Sequence, residues 1–141
     1  MTMTKTKLIL GIGVALIVAL GSGWVWGNSG KSALNHALRV AELRDDLLTG
    51  RAGVLDARLD IYSVNFGEAS RHFEGARTAL RAATTRLNDL RLQDDAKRLE
   101  VALTRIDEAQ RMAGELNQDA NAVAAEAAKT IGDVLGSITT P

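Results

Sequence analysis

Residues 48–90 read LTGRAGVLDARLDIYSVNFGEASRHFEGARTALRAATTRLNDL, and apolar residues recur along them at alternating intervals of four and three. Such spacing returns an apolar side chain to the same face of a helix at every turn, as in the seam of a coiled coil. The residues of this first seam are Leu48, Ala52, Leu55, Leu59, Tyr62, Phe66, Ala69, Phe73, Ala76, Leu80, Ala83, Leu87 and Leu90. The unbroken phase predicts one long helix, which we place at residues 31–92.

The pattern breaks at Leu92-Gln93-Asp94-Asp95, where Asp94 can cap a new helix and the acidic pair suits its first turn. A second seam follows, formed by Ala96, Leu99, Leu103, Ile106, Ala109 or Gln110, Ala113, Leu116, Ala120, Val123, Ala127, Ile131 and Val134. We therefore predict a turn at 93–95, a return helix at 96–135 and a tail at 136–141. Because so short a connection makes two long helices antiparallel neighbours, the predicted fold is all-α, a long antiparallel hairpin resembling a coiled coil.

A turn centred near residue 93 also predicts which residues face each other across the hairpin. The predicted pairs are Leu87 with Leu99, Leu80 with Ile106, Phe73 with Ala113, Phe66 with Ala120, and Leu59 with Ala127. In the last three pairs a large side chain faces an alanine, so the volumes complement each other.

Residues 49–53, TGRAG, are the weakest point of the predicted long helix because glycine lowers helix stability. A hinge here would fold residues 31–48 back as a third helix and give a three-helix bundle. Residues 31–48 carry two apolar faces, one that includes Leu38 and one that includes Leu43, which favours contact with more than one neighbour. We retain the long helix because the first seam keeps its phase through both glycines.

Residues 8–26, LILGIGVALIVALGSGWVW, contain no charged side chain and have about the length that crosses a bilayer as a helix. Lys5 and Lys7 precede this segment, and Trp24 and Trp26 close it as interface anchors at the level of the lipid headgroups. We predict a cytoplasmic N-terminus at 1–7, a transmembrane signal anchor at 8–26 and a linker at 27–30. The rest of the chain would then lie on the periplasmic side of a bacterial inner membrane.

Small residues recur every four positions within the predicted anchor, at Gly11, Ala15, Ala19 and Gly23. Such a stripe lets another transmembrane helix approach closely, so we predict that these four residues pack against a partner helix. The alternative to an anchor is a cleaved signal peptide, since Ala19-Leu20-Gly21 has the spacing of small residues at a cleavage site.

Composition excludes several classes of function. With 17 basic and 17 acidic residues the chain has no basic excess, so we predict no binding to nucleic acid. The absence of cysteine removes thiol catalysis and Cys-based zinc sites. Glu68 and His72 have a spacing that can hold a metal ion, but we interpret Glu68 as part of a surface ion pair. No catalytic or nucleotide-binding motif appears in the sequence, so we expect no catalytic residue, no cofactor and no metal site.

Residues 65–73, NFGEASRHF, concentrate two phenylalanines in a protein with 4% aromatic residues. Such rings either fill a core or anchor a docking surface. We assign this role, hairpin core or docking, to Tyr62, Phe66, Phe73, Leu80, Leu87, Leu99 and Ile106.

Together these patterns predict a non-enzymatic accessory or scaffolding subunit of a larger bacterial membrane protein complex. Its transmembrane helix and its hairpin would contact other membrane protein subunits and the lipid bilayer. The alternative is a self-associating periplasmic sensor or spacer, in which two copies of the chain form a homodimer.

Overall fold

The computed structural model describes the backbone of residues 3–138 and the side chains of residues 31–138. The described residues form four α-helices and no strand: α1 (Met3–Tyr62), α2 (Phe66–Asp89), α3 (Gln93–Gly114) and α4 (Ala120–Ser137). The chain divides into two compact units, Met1–Leu38 and Arg39–Pro141. In the first unit, the side chains of Leu34 and Leu38 are exposed. The second unit holds the rest of α1 together with α2, α3 and α4.

The all-α prediction is confirmed, whereas the predicted hairpin of two long helices differs from the structure. The helix predicted at 31–92 ends at Tyr62, and a new helix begins at Phe66. The return helix predicted at 96–135 is likewise divided, because α3 ends at Gly114 and α4 begins at Ala120. The turn predicted at 93–95 lies at 90–92, since Gln93 already belongs to α3. The second unit therefore has four helical segments, not two arms or three helices.

The turn at 63–65 closes α1 with two backbone hydrogen bonds. The Asn65 amide donates to the Asp60 carbonyl at 2.7 Å, and the Val64 amide donates to the Ile61 carbonyl at 3.0 Å. This pair of bonds is the Schellman motif, which satisfies carbonyls that the end of a helix would otherwise leave unpaired. The chain can therefore reverse here at little cost in backbone hydrogen bonding.

The same motif ends α2 and α3, and in all three turns its left-handed position is occupied by a residue other than glycine. Val64, Arg91 and Leu116 have φ angles of 60°, 62° and 58°. Glycine is the usual residue here because a Cβ atom makes this conformation unfavourable. Two of the three turns were not predicted, because no glycine marks them and the apolar spacing of four and three residues continues across both.

Replacing Val64 by glycine should raise the free energy of unfolding by about 1 kcal/mol, because glycine adopts the left-handed conformation without the steric cost of a side chain. Val101 is the matched control, since it is 57% exposed against 60% for Val64 but lies inside α3. Val101→Gly should lower the free energy of unfolding by about 0.5 kcal/mol. Denaturant unfolding of the full chain in mild detergent, followed by circular dichroism, measures both. A loss of stability in Val64→Gly would contradict the turn geometry.

The core of the second unit lies between the four helices, and each helix contributes apolar residues or glycine mostly at intervals of four and three, with Ala127 and Ala128 of α4 as an adjacent pair. The buried positions are Leu43, Leu47, Gly50, Val54, Ala57 and Ile61 in α1; Ala69, Phe73, Ala76, Leu80, Ala83 and Leu87 in α2; Ala96, Leu99, Ala102, Ile106, Ala109 and Ala113 in α3; and Ala120, Ala124, Ala127, Ala128, Ile131 and Val134 in α4. Large aliphatic residues of α1 and alanines of α4 share this core, so the helices can approach closely while their volumes remain complementary.

Contacts between α1 and α4 close the bundle. Arg58 Nε donates to Asn121 Oδ1 at 3.1 Å, and Arg51 Nε donates to the Ala128 carbonyl at 3.4 Å. The two helices are antiparallel, because the earlier α1 residue, Arg51, contacts the later α4 residue, Ala128, and Arg58 contacts Asn121. Consecutive helices are also antiparallel because their connections are short. The second unit is therefore an up-down-up-down four-helix bundle.

The predicted register holds near the α2–α3 turn and fails beyond it. Arg77 pairs with Asp107 at 2.7 Å and Glu74 accepts a hydrogen bond from Gln110 at 2.9 Å, both within two residues of the predicted register. The predicted pairing of Leu59 with Ala127 does not occur, because Leu59 is exposed while Ala127 is buried. The α1–α4 contacts lie one heptad away from the predicted register, since two helix ends intervene.

The glycines at 49–53 bring helices together and do not form the hinge that was the alternative prediction. Residues 49–53 are helical, and a Cβ atom on Gly50 would lie 2.4 Å from Leu80 Cδ2. A Cβ atom on Gly53 would lie 3.1 Å from the His72 carbonyl oxygen. The absent side chains therefore allow α1 to lie close against α2.

Replacing Gly50 by alanine should lower the free energy of unfolding by about 1 kcal/mol, because overpacking against buried Leu80 outweighs the gain in helix propensity. Gly75 is the matched control, because it lies inside α2 and a Cβ atom there would meet nothing within 4 Å. Gly75→Ala should raise the free energy of unfolding by about 0.5–1 kcal/mol. The same denaturant titration compares the two variants, and equal gains in stability would show that α1 and α2 are not in close contact at Gly50.

Within residues 31–138, no helix is long and apolar enough to cross a membrane. The predicted anchor at 8–26 lies outside the residues whose side chains the structure describes. The same holds for its small-residue stripe and for its predicted interface anchors, namely Gly11, Ala15, Ala19, Gly23, Trp24 and Trp26.

Candidate functional site

The seven residues predicted to form the hairpin core or a docking site divide between the interior and the surface. The fully buried residues are Phe73, Leu80, Leu87, Leu99 and Ile106. Phe66 is partly buried and packs against the same core. Tyr62 is 83% exposed and is the last residue of α1. The two phenylalanines therefore belong to the core and its edge, whereas the tyrosine is available to a partner.

Truncating Phe73 and Tyr62 should separate these two environments. Phe73→Ala should lower the free energy of unfolding by about 3–4 kcal/mol, because it leaves a cavity in the core. Tyr62→Ala should change it by less than about 0.5 kcal/mol, because an exposed ring loses little burial. Thermal and denaturant unfolding of the full chain, diluted in detergent until it is monomeric, provide the measurement, and a large loss for Tyr62→Ala in the monomer would place that ring inside the bundle.

An exposed apolar row runs along the outer face of α1 in the second unit. Its members, Leu48, Ala52, Leu55, Leu59 and Tyr62, are spaced by four and three residues, and we call this row the α1 stripe. Leu59 is 67% exposed and Leu48 is 47% exposed, while Leu55 is half-buried. The stripe is thus a continuous apolar surface on a helix whose opposite face fills the core.

The α1 stripe was predicted to face the return helix, and the structure corrects this. In α1 the buried face ends at Ile61, and in α2 it resumes at Ala69, eight residues later instead of seven. The turn at 63–65 therefore shifts the core phase by one residue. If the four-and-three spacing of the buried α2 residues is continued towards the N-terminus across this turn, it reaches the exposed face of α1 at Tyr62. The second apolar face noted in residues 31–48 was the signal that α1 has two such faces.

A shallow groove of about 330 Å³ adjoins the C-terminal end of the α1 stripe. Leu55, Leu59 and Tyr62 of α1 line it together with Arg58 and Asn121. The Arg58 backbone carbonyl accepts a hydrogen bond from Asn121 Nδ2 at 2.9 Å, so the polar floor of the groove is already internally paired. The groove therefore offers a place for an apolar side chain and little for a charged ligand.

A second groove, of about 460 Å³, lies between α1 and α2 and is lined by polar residues. Arg86 in this groove ion-pairs with Glu42 and, at 2.7 Å, with Asp46. The hydrogen bond to Asp46 is the main cause that raises the pKa of Arg86 above its ordinary value. Two carboxylates already match this guanidinium, and Asp89 lines the groove together with Arg39, so the groove has no excess of positive charge to bind an anion. The contacts join α1 to α2.

Polar side chains between α2 and α3 are also paired with one another. Gln110 Nε2 donates to Ser70 Oγ at 3.0 Å and to Glu74 Oε1 at 2.9 Å. Arg77 bridges Glu74 and Asp107. The hydrogen bond from Gln110, followed by the charge of Arg77, lowers the pKa of Glu74. This network holds two helices in register and leaves no poised acid or base among its members.

Glu68 and His72 do not converge on a common point. Glu68 Oε1 pairs with Arg71 Nη1 at 2.9 Å on the exposed side of α2. His72 Nε2 lies 3.4 Å from Asp60 Oδ2 across the first turn. Among the described side chains, no group of three or more histidine and carboxylate residues could hold a metal ion.

The fold and surface of the second unit thus define a four-helix bundle with one unburied apolar row. No protein family matches the chain, and no curated protein or solved structure matches it. The α1 stripe is the candidate functional site, because it is a continuous surface whose composition departs from the paired, polar exterior around it.

Proposed function

We propose that this protein is a non-enzymatic, membrane-anchored scaffolding subunit that binds another protein of a bacterial membrane assembly through the α1 stripe. The observation that carries the proposal is the exposure of Leu48, Leu59 and Tyr62 on a helix whose other face is fully buried. Contiguous apolar rows on solvent-exposed surfaces mark sites of protein contact, and aromatic residues anchor such contacts. Burial of the stripe would supply the binding energy.

The anchor in this proposal is the apolar segment at residues 8–26. Its length and its flanking Lys5 and Lys7 support a transmembrane helix with a cytoplasmic N-terminus. The bundle would then act on the periplasmic side of the inner membrane. The small residues at 11, 15, 19 and 23 would let a second membrane helix pack against the anchor.

The absence of catalysis in this proposal is supported by how the polar side chains are used. Arg77 and Arg86 bridge helices, and Asp95 accepts a hydrogen bond from Ser137 Oγ at 3.0 Å. Buried or half-buried polar groups that are paired in this way stabilise a fold and do not activate a substrate. A binding function requires none of them to move a proton.

A self-associating spacer or sensor is the second candidate. The specific observation in its favour is that the α1 stripe keeps the heptad spacing that two helices use to pack along each other. This candidate shares the anchor and the contact surface with the first and differs in the identity of the partner.

Replacing Leu59 by serine should weaken assembly about tenfold or more, because it removes a large apolar side chain from the middle of the stripe. The measurement is the native mass distribution of the full chain after mild detergent extraction from bacterial membranes. Val101→Ser is the matched control, because Val101 is exposed on α3, away from the stripe. It should leave the mass distribution unchanged.

The anchor is tested on the same preparations by alkaline extraction, which strips peripheral proteins from membranes. The unmodified chain and both variants should stay with the membrane. Release of the unmodified chain by alkali would overturn the anchored proposal. Identical mass distributions for Leu59→Ser and Val101→Ser would overturn the role of the stripe.

A further inference from the structure

We propose that the partner of the α1 stripe is a second copy of this chain, bound with the two α1 helices side by side and parallel. This inference rests on the part of the proposed function that places an anchored chain in contact through the α1 stripe, because the anchor would give every copy the same direction in the membrane. It assigns that contact to the self-associating candidate in place of a different subunit. It goes beyond that function by naming the partner and its orientation. Three observations carry it: the spacing of the stripe, the charges beside it and the groove next to it.

The spacing of the stripe is self-complementary. Leu48, Leu55 and Tyr62 occupy one heptad position, and Ala52 and Leu59 occupy the other. In a parallel pair related by a two-fold axis, each residue of this kind meets its own counterpart in the second helix. The row then forms five successive layers over about 21 Å, the rise of fourteen helical residues.

The side chains on the two sides of the stripe favour the parallel orientation through one opposite-charge pair and by keeping the arginines of the two copies apart. Arg44, Arg51 and Arg58 form one flanking row at intervals of seven, while Thr49, Asp56 and Ser63 form the other. In a parallel pair, each residue of the arginine row faces the residue of the other row that lies five positions later in the second copy. Arg51, whose Nε also donates to the Ala128 carbonyl of its own bundle, then faces Asp56 of the second copy through its terminal guanidinium nitrogens, and both residues are exposed. An antiparallel pair would place the arginine row against itself, which is repulsive.

One end of the uninterrupted apolar contact is set by Asp45, which is exposed, occupies the next heptad position before Leu48 and separates it from exposed Ala41 on the same row. Two copies of this carboxylate would meet in a parallel pair, so the close contact begins at Leu48. The other end is Tyr62, where α1 terminates. The groove beside Tyr62 and Asn121 gives the large ring of each copy space to turn away from the axis.

Single cysteines test the pairing directly, because the chain contains no cysteine of its own. Leu48→Cys and Tyr62→Cys place one thiol near each end of the stripe, and Val101→Cys places one on an exposed part of α3. A disulfide forms only when the two Cα atoms lie within about 7 Å. Each full-length variant is oxidised in the membrane, and the fraction of chain at twice the monomer mass is measured by non-reducing electrophoresis. Circular dichroism of each purified variant checks that it is folded.

The parallel pair predicts that Leu48→Cys and Tyr62→Cys each cross-link to themselves at least fivefold more than Val101→Cys. Cross-linking of Leu48→Cys with co-expressed Tyr62→Cys, without self-linking of either, would show an antiparallel pair and overturn the inference. Yields no higher than that of Val101→Cys would overturn self-association. If Leu59→Ser still reduces the native mass in that case, the stripe binds a different protein and the proposed function stands without the inference.

A charge exchange provides an independent check on orientation. Asp56→Arg should reduce the self-cross-linking of Leu48→Cys several-fold, because it sets an arginine opposite Arg51 of the second copy. Combining it with Arg51→Asp should restore most of the yield, and circular dichroism checks that the double variant, which also loses the hydrogen bond from Arg51 to the Ala128 carbonyl, is folded. A yield unaffected by Asp56→Arg would contradict the parallel contact, since the two charges would then not lie opposite each other.

Discussion

A helix at the corner of a four-helix bundle can bury only part of its circumference, and α1 carries apolar residues on both sides. One face, which includes Leu43, Leu47 and Ile61, is fully buried between α2 and α4. The other, which includes Leu59 and Tyr62, is left outside. The choice between the two faces determines the rest of the bundle, because the buried face sets how close α2 and α4 can lie. It also determines which surface remains for a partner.

Close contact between α1 and α2 makes burial of this face of α1 possible. Gly50 admits the side chain of Leu80, and Gly53 admits the backbone of α2 near His72. Had the bundle buried the opposite face of α1, the large side chains Leu55 and Leu59 would have occupied the space that these glycines leave free. Arg86 then links the same two helices at their other end through Glu42 and Asp46. Steric fit determines which face of α1 is buried, and the ion pairs of Arg86 then hold α1 and α2 in the register that this fit allows.

Because heptad spacing and the break at residues 92–95 are local signals, sequence reasoning recovered the helical class, the core face of α2 and the presence of a turn between α2 and α3, which it placed at 93–95 instead of 90–92. It missed the turn at 63–65, since Val64 stands where glycine usually marks such a turn and the apolar spacing continues across it from Tyr62 to Phe66. It missed the division of α3 from α4 for the same reason at Leu116. The spacing of the α1 stripe was visible in the sequence, but its exposure to solvent was not. Two faces of one helix had equivalent spacing, and only the packing of the other three helices distinguishes them.

The bundle has an even number of helical segments, and this decides where the polypeptide enters and leaves it. The entry of α1 at Arg39, the turn at 90–92 and the end of α4 near Ser137 all lie at one end of the second unit, as the contacts of Arg86 with Glu42 and of Ser137 with Asp95 require. The other end is closed by two loops and carries no chain terminus. Residues inserted at 63–65 or 115–119 would therefore extend that end without altering the path of the chain at the end where it enters and leaves. The second unit has one end at which the chain enters and leaves and one at which it can be lengthened.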